Sequence, residues 1–433
     1  MIAKLRIVRG VSALRRSANF KNGILYTLFS FLNNGISFIL LLLLAEFIAP
    51  ADYGRLNLFN TFVTLLSIFI SLSTTSYVGV AFFRKSRSDL RKIVSVVLLT
   101  TTGMLFLFSV VVALFPEMFQ RAVGIDTKYL WIALFICYFQ VFTNLNLDIW
   151  RLEEQPIRYG VFSISIAVLN FLLTLGLVVA LHKGWQGRVY AQVGVAVLFF
   201  VVSILFLIRR KYLVFSWPGR AIFYETLAYA LPLIPHLSSF WFKQGMDRYI
   251  INYFHAQEAV GLFSFAMNFG SIIGMVGTAF NATNSVYIFK KLSGGYEEAR
   301  YVLRKQHTIM AVVFLGLTFF IWGTVASLLP RLMPDYAGSV RYLFPVCMTA
   351  FFQCLYLLYV NYLFFYKHTR RLMYITVSTA CIQMGLSLWL TRYDVLWTAY
   401  ISAFVSLVMT TLVIVSSKRI LKRAGKTTVS FPQ

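Results

Sequence analysis

Apolar runs of about 20 residues, each long enough to cross a bilayer as a helix, recur along the whole chain. About twelve are present. The first half holds 23–49, 57–83, 93–115, 128–149, 159–181 and 189–208. The second holds 228–254, 259–289, 308–329, 341–365, 372–391 and 395–415. Short polar segments separate them, and the pattern predicts an all-α polytopic membrane protein.

The charges sort by alternate segments. Stretches 4–21, 84–92, 151–158, 209–220, 290–305, 367–371 and 418–426 hold about 30 of the 40 Lys and Arg, and the intervening loops hold about eight. Basic residues collect on the cytoplasmic side of membrane proteins, so both termini are expected in the cytoplasm. A missed or invented span would scramble this alternation, which supports a count of twelve.

Composition agrees. Of 433 residues 59% are hydrophobic and 42 are Phe, more apolar surface than a soluble domain encloses. The net charge of +25 would suggest nucleic acid in a soluble protein. Here the basic residues lie in short loops rather than one patch, and no nucleic-acid partner is expected. Cys137, Cys347, Cys354 and Cys381 lie in apolar runs without paired spacing and read as small buried hydrophobes. No His/Cys/carboxylate cluster and no Walker-type glycine loop is present, so neither a metal nor a nucleotide cofactor is expected.

The domain layout follows from the spans. A basic segment 1–22 precedes a six-helix bundle 23–208. A linker 209–227, carrying Trp217-Pro218-Gly219, leads to a second six-helix bundle 228–415 and a basic tail 416–433. The halves are weakly alike: Ala51-Asp52-Tyr53-Gly54-Arg55 and Glu258-Ala259-Val260-Gly261-Leu262 each place a glycine after a short outer loop, where a span opens. An even number of spans per half makes this a parallel repeat, an arrangement suited to alternating access.

The seventh span carries Lys243, Asp247 and Arg248. A charge at the bilayer centre costs about 2.5–3.5 kcal/mol on insertion scales, so these residues mark a site facing protein or water. Lys243 and Asp247 are four apart, so they share a helical face and can pair. A structural salt bridge is one reading. The other is that Lys243 and Arg248 meet an anionic group while Asp247 balances the empty site. Pro232 and Pro235 precede them and predict a kink, either fixed or part of gating. Asn33 and Asn34 in the first span, and Asn268 and Asn281 in the eighth, are either interhelical hydrogen-bonding groups or the lining of a polar cavity. Gly270, Gly274 and Gly277 predict close helix packing.

The runs Leu231-Pro232-Leu233-Ile234-Pro235, Met246-Asp247-Arg248-Tyr249-Ile250-Ile251, Ala259-Val260-Gly261-Leu262-Phe263-Ser264 and Pro50-Ala51-Asp52-Tyr53-Gly54 resemble the polysaccharide biosynthesis family. These are the O-antigen-type flippases of the multidrug/oligosaccharidyl-lipid/polysaccharide (MOP) exporter superfamily. The resemblance implies a MATE-like, V-shaped pair of bundles. It implies flipping of a polyprenyl-diphosphate-linked glycan between leaflets for surface polysaccharide synthesis, through a cationic cavity. Lys243 and Arg248 match that role by position, with Arg55 at the cavity mouth. It further implies a monomer embedded in membrane lipids, working beside a glycan polymerase and a chain-length protein. Glu46 departs from the family pattern, being an acid before the first outer loop.

Two other classes compete. An ion-coupled multidrug exporter of the same superfamily needs a coupling carboxylate in the first half, where Glu46 and Asp148 sit near span ends. An enzyme of glycan transfer or polymerisation needs a large loop bearing catalytic acids, and every loop here is short; no enzymatic activity is expected.

Overall fold

The computed structural model describes residues 2–214, 217–293, 296–366 and 368–424. The first half runs α1 (Ile2–Phe47), α2 (Pro50–Ser71), α3 (Thr75–Arg84), α4 (Arg87–Leu114), α5 (Pro116–Val123), α6 (Thr127–Leu152), α7 (Pro156–Leu175), a π-helical turn Gly176–Ala180, and α8 (Gly184–Arg209). The second runs α9 (Arg220–Ala230), α10 (Leu233–Gln244), α11 (Met246–Phe254), α12 (Gln257–Ser293), α13 (Tyr296–Leu332), a 3-10 turn Pro334–Ser339, α14 (Val340–Phe365), α15 (Thr369–Leu390) and α16 (Val395–Ala424). Phe106 is 72% exposed and Phe320 68%, an apolar exterior that suits lipid rather than water.

Among the described residues, eleven segments are long and apolar enough to cross a membrane. The expected seventh span is the one missing from this set. It is broken into α9, α10 and α11 by a turn at Leu231-Pro232 and by Gly245. The breaks have local causes. Proline cannot donate to the preceding turn, and glycine is among the poorest helix formers. Pro235 falls in the first turn of α10, where the backbone N–H has no helical partner in any case.

Two expected boundaries move. The segment 1–22 is not separate from the first span, since α1 is one helix of 46 residues. Residues 209–227 are more than a linker, because α9 begins at Arg220 and packs against α3 and α4. Glu225 anchors it: Lys85 Nζ lies 2.7 Å from Glu225 Oε1, the Tyr77 hydroxyl donates to the same carboxylate, and Tyr77 and Tyr229 meet ring to ring at 5.1 Å.

The chain forms two compact units. One comprises the chain up to Ile48 together with Leu58–Ser238, and the other comprises Ala49–Asn57 with the chain from Ser239 onward. The first unit packs α1 on α7 and α6 on α8. Tyr26 meets Tyr159 edge-on, and Gly160 leaves room for the Phe29 ring. Trp150, Phe162, Val195 and Phe199 fill the space beside them.

The second unit is built on α12, α14 and α16. Small residues let these helices approach: Gly270 faces Val346 and Gly277 faces Cys354. Gly274 faces open space, so two of the three expected glycine contacts are made. Three cysteines are buried as expected, but Cys381 is exposed on α15. The start of α2 belongs to this unit for a steric reason. A Cβ on Gly54 would strike the Gln257 carbonyl, and a Cβ on Gly261 would strike the Pro50 carbonyl. The two similar glycine motifs of the sequence pack on each other.

Two outcomes follow. Gly261→Ala should lower the melting temperature of the purified protein by the equivalent of about 1–3 kcal/mol of overpacking, while Gly274→Ala on the same helix should leave it nearly unchanged. Hydrogen bonds first from Lys85 and then from Tyr77 hold the Glu225 carboxyl below its ordinary value. A depressed carboxyl stabilises the fold above its unfolded pKa of about 4.3 and loses that contribution as pH falls through the folded value. Amide exchange in α9 should therefore rise below about pH 4, and Glu225→Gln should remove that pH dependence.

Candidate functional site

The break at Gly245 sets the geometry of the charged residues. Gly245 N completes the last turn of α10 by donating to Trp241 O at 2.7 Å. The chain restarts at Met246 and places Asp247 in the first turn of α11, where a helix N-terminus favours negative charge. Lys243 and Asp247 are therefore on different helices. Among the described residues no ion pair within 4.0 Å joins them.

Asp247 is 5% exposed and is satisfied by neutral donors. Gln383 Nε2 donates to its Oδ2 at 3.0 Å, Ser402 Oγ to Oδ2 at 3.0 Å and Ser387 Oγ to Oδ1 at 3.2 Å. Gln383 Nε2 also donates to Lys243 O at 2.9 Å, tying the end of α10 to α15. Lys243 Nζ is half-buried and donates to Met409 Sδ at 2.9 Å, a weak acceptor for an ammonium. Arg248 donates from Nε to Ser264 Oγ at 3.1 Å and from a terminal nitrogen to Gln244 O at 2.7 Å. Across the break Trp241 and Tyr249 stand 5.6 Å apart, ring to ring.

The structure gathers Lys243, Asp247 and Arg248 into one stretch and engages the other candidates elsewhere. Arg55 donates to Gln257 Oε1 at 2.6 Å and pairs with Asp52 at 3.1 Å. Asn268 donates to the Tyr53 hydroxyl at 2.6 Å, beneath rings of Phe265 and Tyr336. Asn281 Oδ1 accepts from Asn361 Nδ2 at 2.8 Å, an interhelical bond between α12 and α14. Asn33 and Asn34 lie on α1 in the first unit, where Asn33 O accepts from Ser37 Oγ. Pro232 and Pro235 mark the upstream break.

Two features escape a reading by spans alone. Arg188, placed in an outer loop by its position before a run, lies in α8 and donates to Asn170 Oδ1 at 2.6 Å and Thr174 Oγ1 at 2.9 Å. Lys243 and Arg248 are thus not the only basic residues inside spans. The partners of Asp247 belong to a pattern visible in the sequence: Thr379, Gln383 and Ser387 on α15 with Thr391 just past its end, and Thr398, Ser402, Ser406 and Thr410 on α16, each recur every fourth residue. The α15 set is 3% exposed or less.

An all-helical bundle of eleven candidate spans with one broken, charged helix defines a multi-pass membrane protein with the MATE-like transporter fold. The chain belongs to the polysaccharide biosynthesis protein family, whose model matches residues 20–288. It is similar to a protein of the Lsg locus of Haemophilus influenzae, 22% identical over 395 residues that span 88% of this chain and 93% of that one. A second membrane protein of the same organism is 23% identical, covering 85% and 89% of the two chains. In fold it matches the lipid II flippase MurJ in an inward closed conformation, with TM-score 0.72, 13% identity and coverage of 93% and 90%. An inward-facing MATE multidrug transporter of the MOP superfamily matches with TM-score 0.70, 13% identity and coverage of 93% and 96%. Both of these solved structures are transporters.

The donor set around Asp247 gives a stability prediction. Asp247→Ala takes the acceptor from Ser387 Oγ and Ser402 Oγ and one of the acceptors from Gln383, each orphaned donor costing about 1–3 kcal/mol, whereas Asp247→Asn keeps an acceptor oxygen. Thermal unfolding in detergent should show the Ala variant clearly below the Asn variant.

Proposed function

We propose that this chain is a flippase that moves a polyprenyl-diphosphate-linked oligosaccharide from the cytoplasmic to the outer leaflet of a bacterial inner membrane, by alternating access. The observation that carries this reading is the state of Lys243. Its ammonium stands in a membrane-embedded helix end, bonded to a thioether, while the nearby carboxylate is satisfied by Gln383, Ser387 and Ser402. A desolvated cation with so weak a partner is a ready contact for an anion such as a diphosphate. Arg248, on the next helix and donating to the neutral oxygens of Ser264 and Gln244, adds a second positive charge.

The polyprenyl tail stays in lipid, so the work of the protein is to carry the diphosphate and sugars. A membrane potential negative inside favours outward movement of an anion by about 2.3 kcal/mol per charge per 100 mV, which needs no nucleotide. Membership of a polysaccharide biosynthesis family supports a glycan cargo. The basic segments between spans support termini in the cytoplasm. The protein acts as a monomer in this reading, handing its product to a glycan polymerase and chain-length partner.

Cells lacking the gene should accumulate lipid-linked glycan on the cytoplasmic face, and the intact gene should clear it. Lys243→Gln should cut the rate of clearance about tenfold, the equivalent of roughly 1.4 kcal/mol, while Lys243→Arg retains most of it. No accumulation on gene loss would overturn the assignment.

A further inference from the structure

We propose that the outer face of α13, where that helix enters the membrane, is a binding site for an anionic phospholipid of the surrounding bilayer. The proposal goes beyond the flippase reading and does not depend on the cargo.

Three observations lead to it. First, α13 is longer than a span requires. Its 37 residues rise about 55 Å, against about 30 Å of hydrocarbon. The apolar run starts at Thr308, so residues 296–307 stand at the level of the lipid headgroups.

Second, this part of the helix carries an open groove of about 410 Å³, within the size range of small-molecule sites. Tyr301, Val302, Lys305, Gln306, Ile309 and Met310 line it. Their spacing puts Tyr301, Lys305 and Ile309 on one stripe of the helix and Val302, Gln306 and Met310 on the next. Along the first stripe a phenol and an ammonium give way to apolar side chains in the direction of the bilayer centre. Past the groove Val312 is 64% exposed and Val313 49%. One leaflet of hydrocarbon is about 15 Å deep, or about ten residues of helix. An acyl chain below a headgroup at Lys305 therefore lies against Ile309, Val312 and Val313.

Third, the groove stands in a basic stretch. Residues 290–305 hold Lys290, Lys291, Arg300, Arg304 and Lys305 against two acids, Glu297 and Glu298. Lys305 is exposed, and among the described residues no ion pair within 4.0 Å engages it. Basic clusters just outside a span attract the phosphates of anionic lipids. In the bound state Lys305 Nζ and the Tyr301 hydroxyl donate to the phosphate, and the acyl chain runs down over Ile309 and Met310.

The inner side of the same segment says what the lipid does. Gln306 reaches α12, donating from Nε2 to Asn284 Oδ1 at 3.0 Å. His307 packs on Tyr359 and Tyr362 of α14, with ring centroids 4.8 and 5.6 Å away. Gln306 Oε1, Asn284 Nδ2 and His307 Nε2 are nonetheless buried with no hydrogen-bond partner, and each is a cost to this contact. Protein contacts hold this end of α13 weakly, and a lipid on its outer face stabilises it by mass action.

The test needs no glycan. Purified full-length protein is stripped of lipid in detergent, and phosphatidylglycerol or phosphatidylcholine of matched chains is added back. Bound lipid is counted by native mass spectrometry, and amide exchange is followed along the start of α13. The wild type should retain phosphatidylglycerol over phosphatidylcholine, and phosphatidylglycerol should slow exchange in that stretch. Lys305→Gln should weaken retention about fivefold. Ile309→Gln, which keeps the charge, should weaken it as well. Lys418→Gln, which removes an exposed cation near the end of α16 and outside the groove, should retain the lipid as the wild type does. Lys243→Gln should do the same, so the flippase reading and this one fail separately. Equal retention of the two lipids by the wild type would overturn the proposal, and that comparison needs no variant to fold. Equal weakening by Lys305→Gln and Lys418→Gln would also overturn it, because surface charge alone would then account for the binding. Loss of the lipid in Lys243→Gln but not in Lys305→Gln would place it at the charged break and overturn it too.

Discussion

A carboxylate in a membrane-embedded helix must be satisfied locally, because no solvent is present to do it. Asp247 meets that demand with three neutral donors from α15 and α16 rather than with a neighbouring lysine. Much of the second unit's organisation follows. The helix is interrupted at Gly245 so that Asp247 opens a new helix. Gln383 fastens the broken end, and the polar ladders of α15 and α16 have a reason to be buried.

The same arrangement leaves Lys243 as the group with the weakest partner in the stretch. A continuous helix would have stacked it one turn from Asp247 and allowed the two charges to cancel. The break separates them, so the carboxylate is bonded to neutral donors and the ammonium to a thioether. In the proposed reading that positive charge meets the diphosphate of a lipid-linked glycan.

Much of the fold was legible because bilayer thickness imposes a length on every span and basic loops alternate with the rest. Eleven of about twelve expected spans appear as long apolar helices among the described residues. The seventh is broken into shorter helices for a reason visible in hindsight: Pro232 and Gly245 lie within a span that hydropathy alone treats as continuous. The charged residues of the site were found by their cost in lipid. Their partners were not, because serine, threonine and glutamine are too common in spans to stand out singly, and only the four-residue spacing of Gln383, Ser387 and Thr391 marks a buried face. Arg188 was misplaced because a span boundary drawn by hydropathy excludes a charged residue that Asn170 and Thr174 hold inside the helix bundle. Arg55 and Asn268 make hydrogen bonds between α2 and α12.

The central claim is that the positive charge of the broken helix recognises a lipid diphosphate. Its most direct test is binding of a short polyprenyl diphosphate and of the uncharged polyprenol to the purified protein, followed by native mass spectrometry. The account predicts clear preference for the diphosphate in the wild type and loss of that preference in Lys243→Gln. Equal binding of the two lipids to the wild type, or a preference untouched by Lys243→Gln, would contradict it.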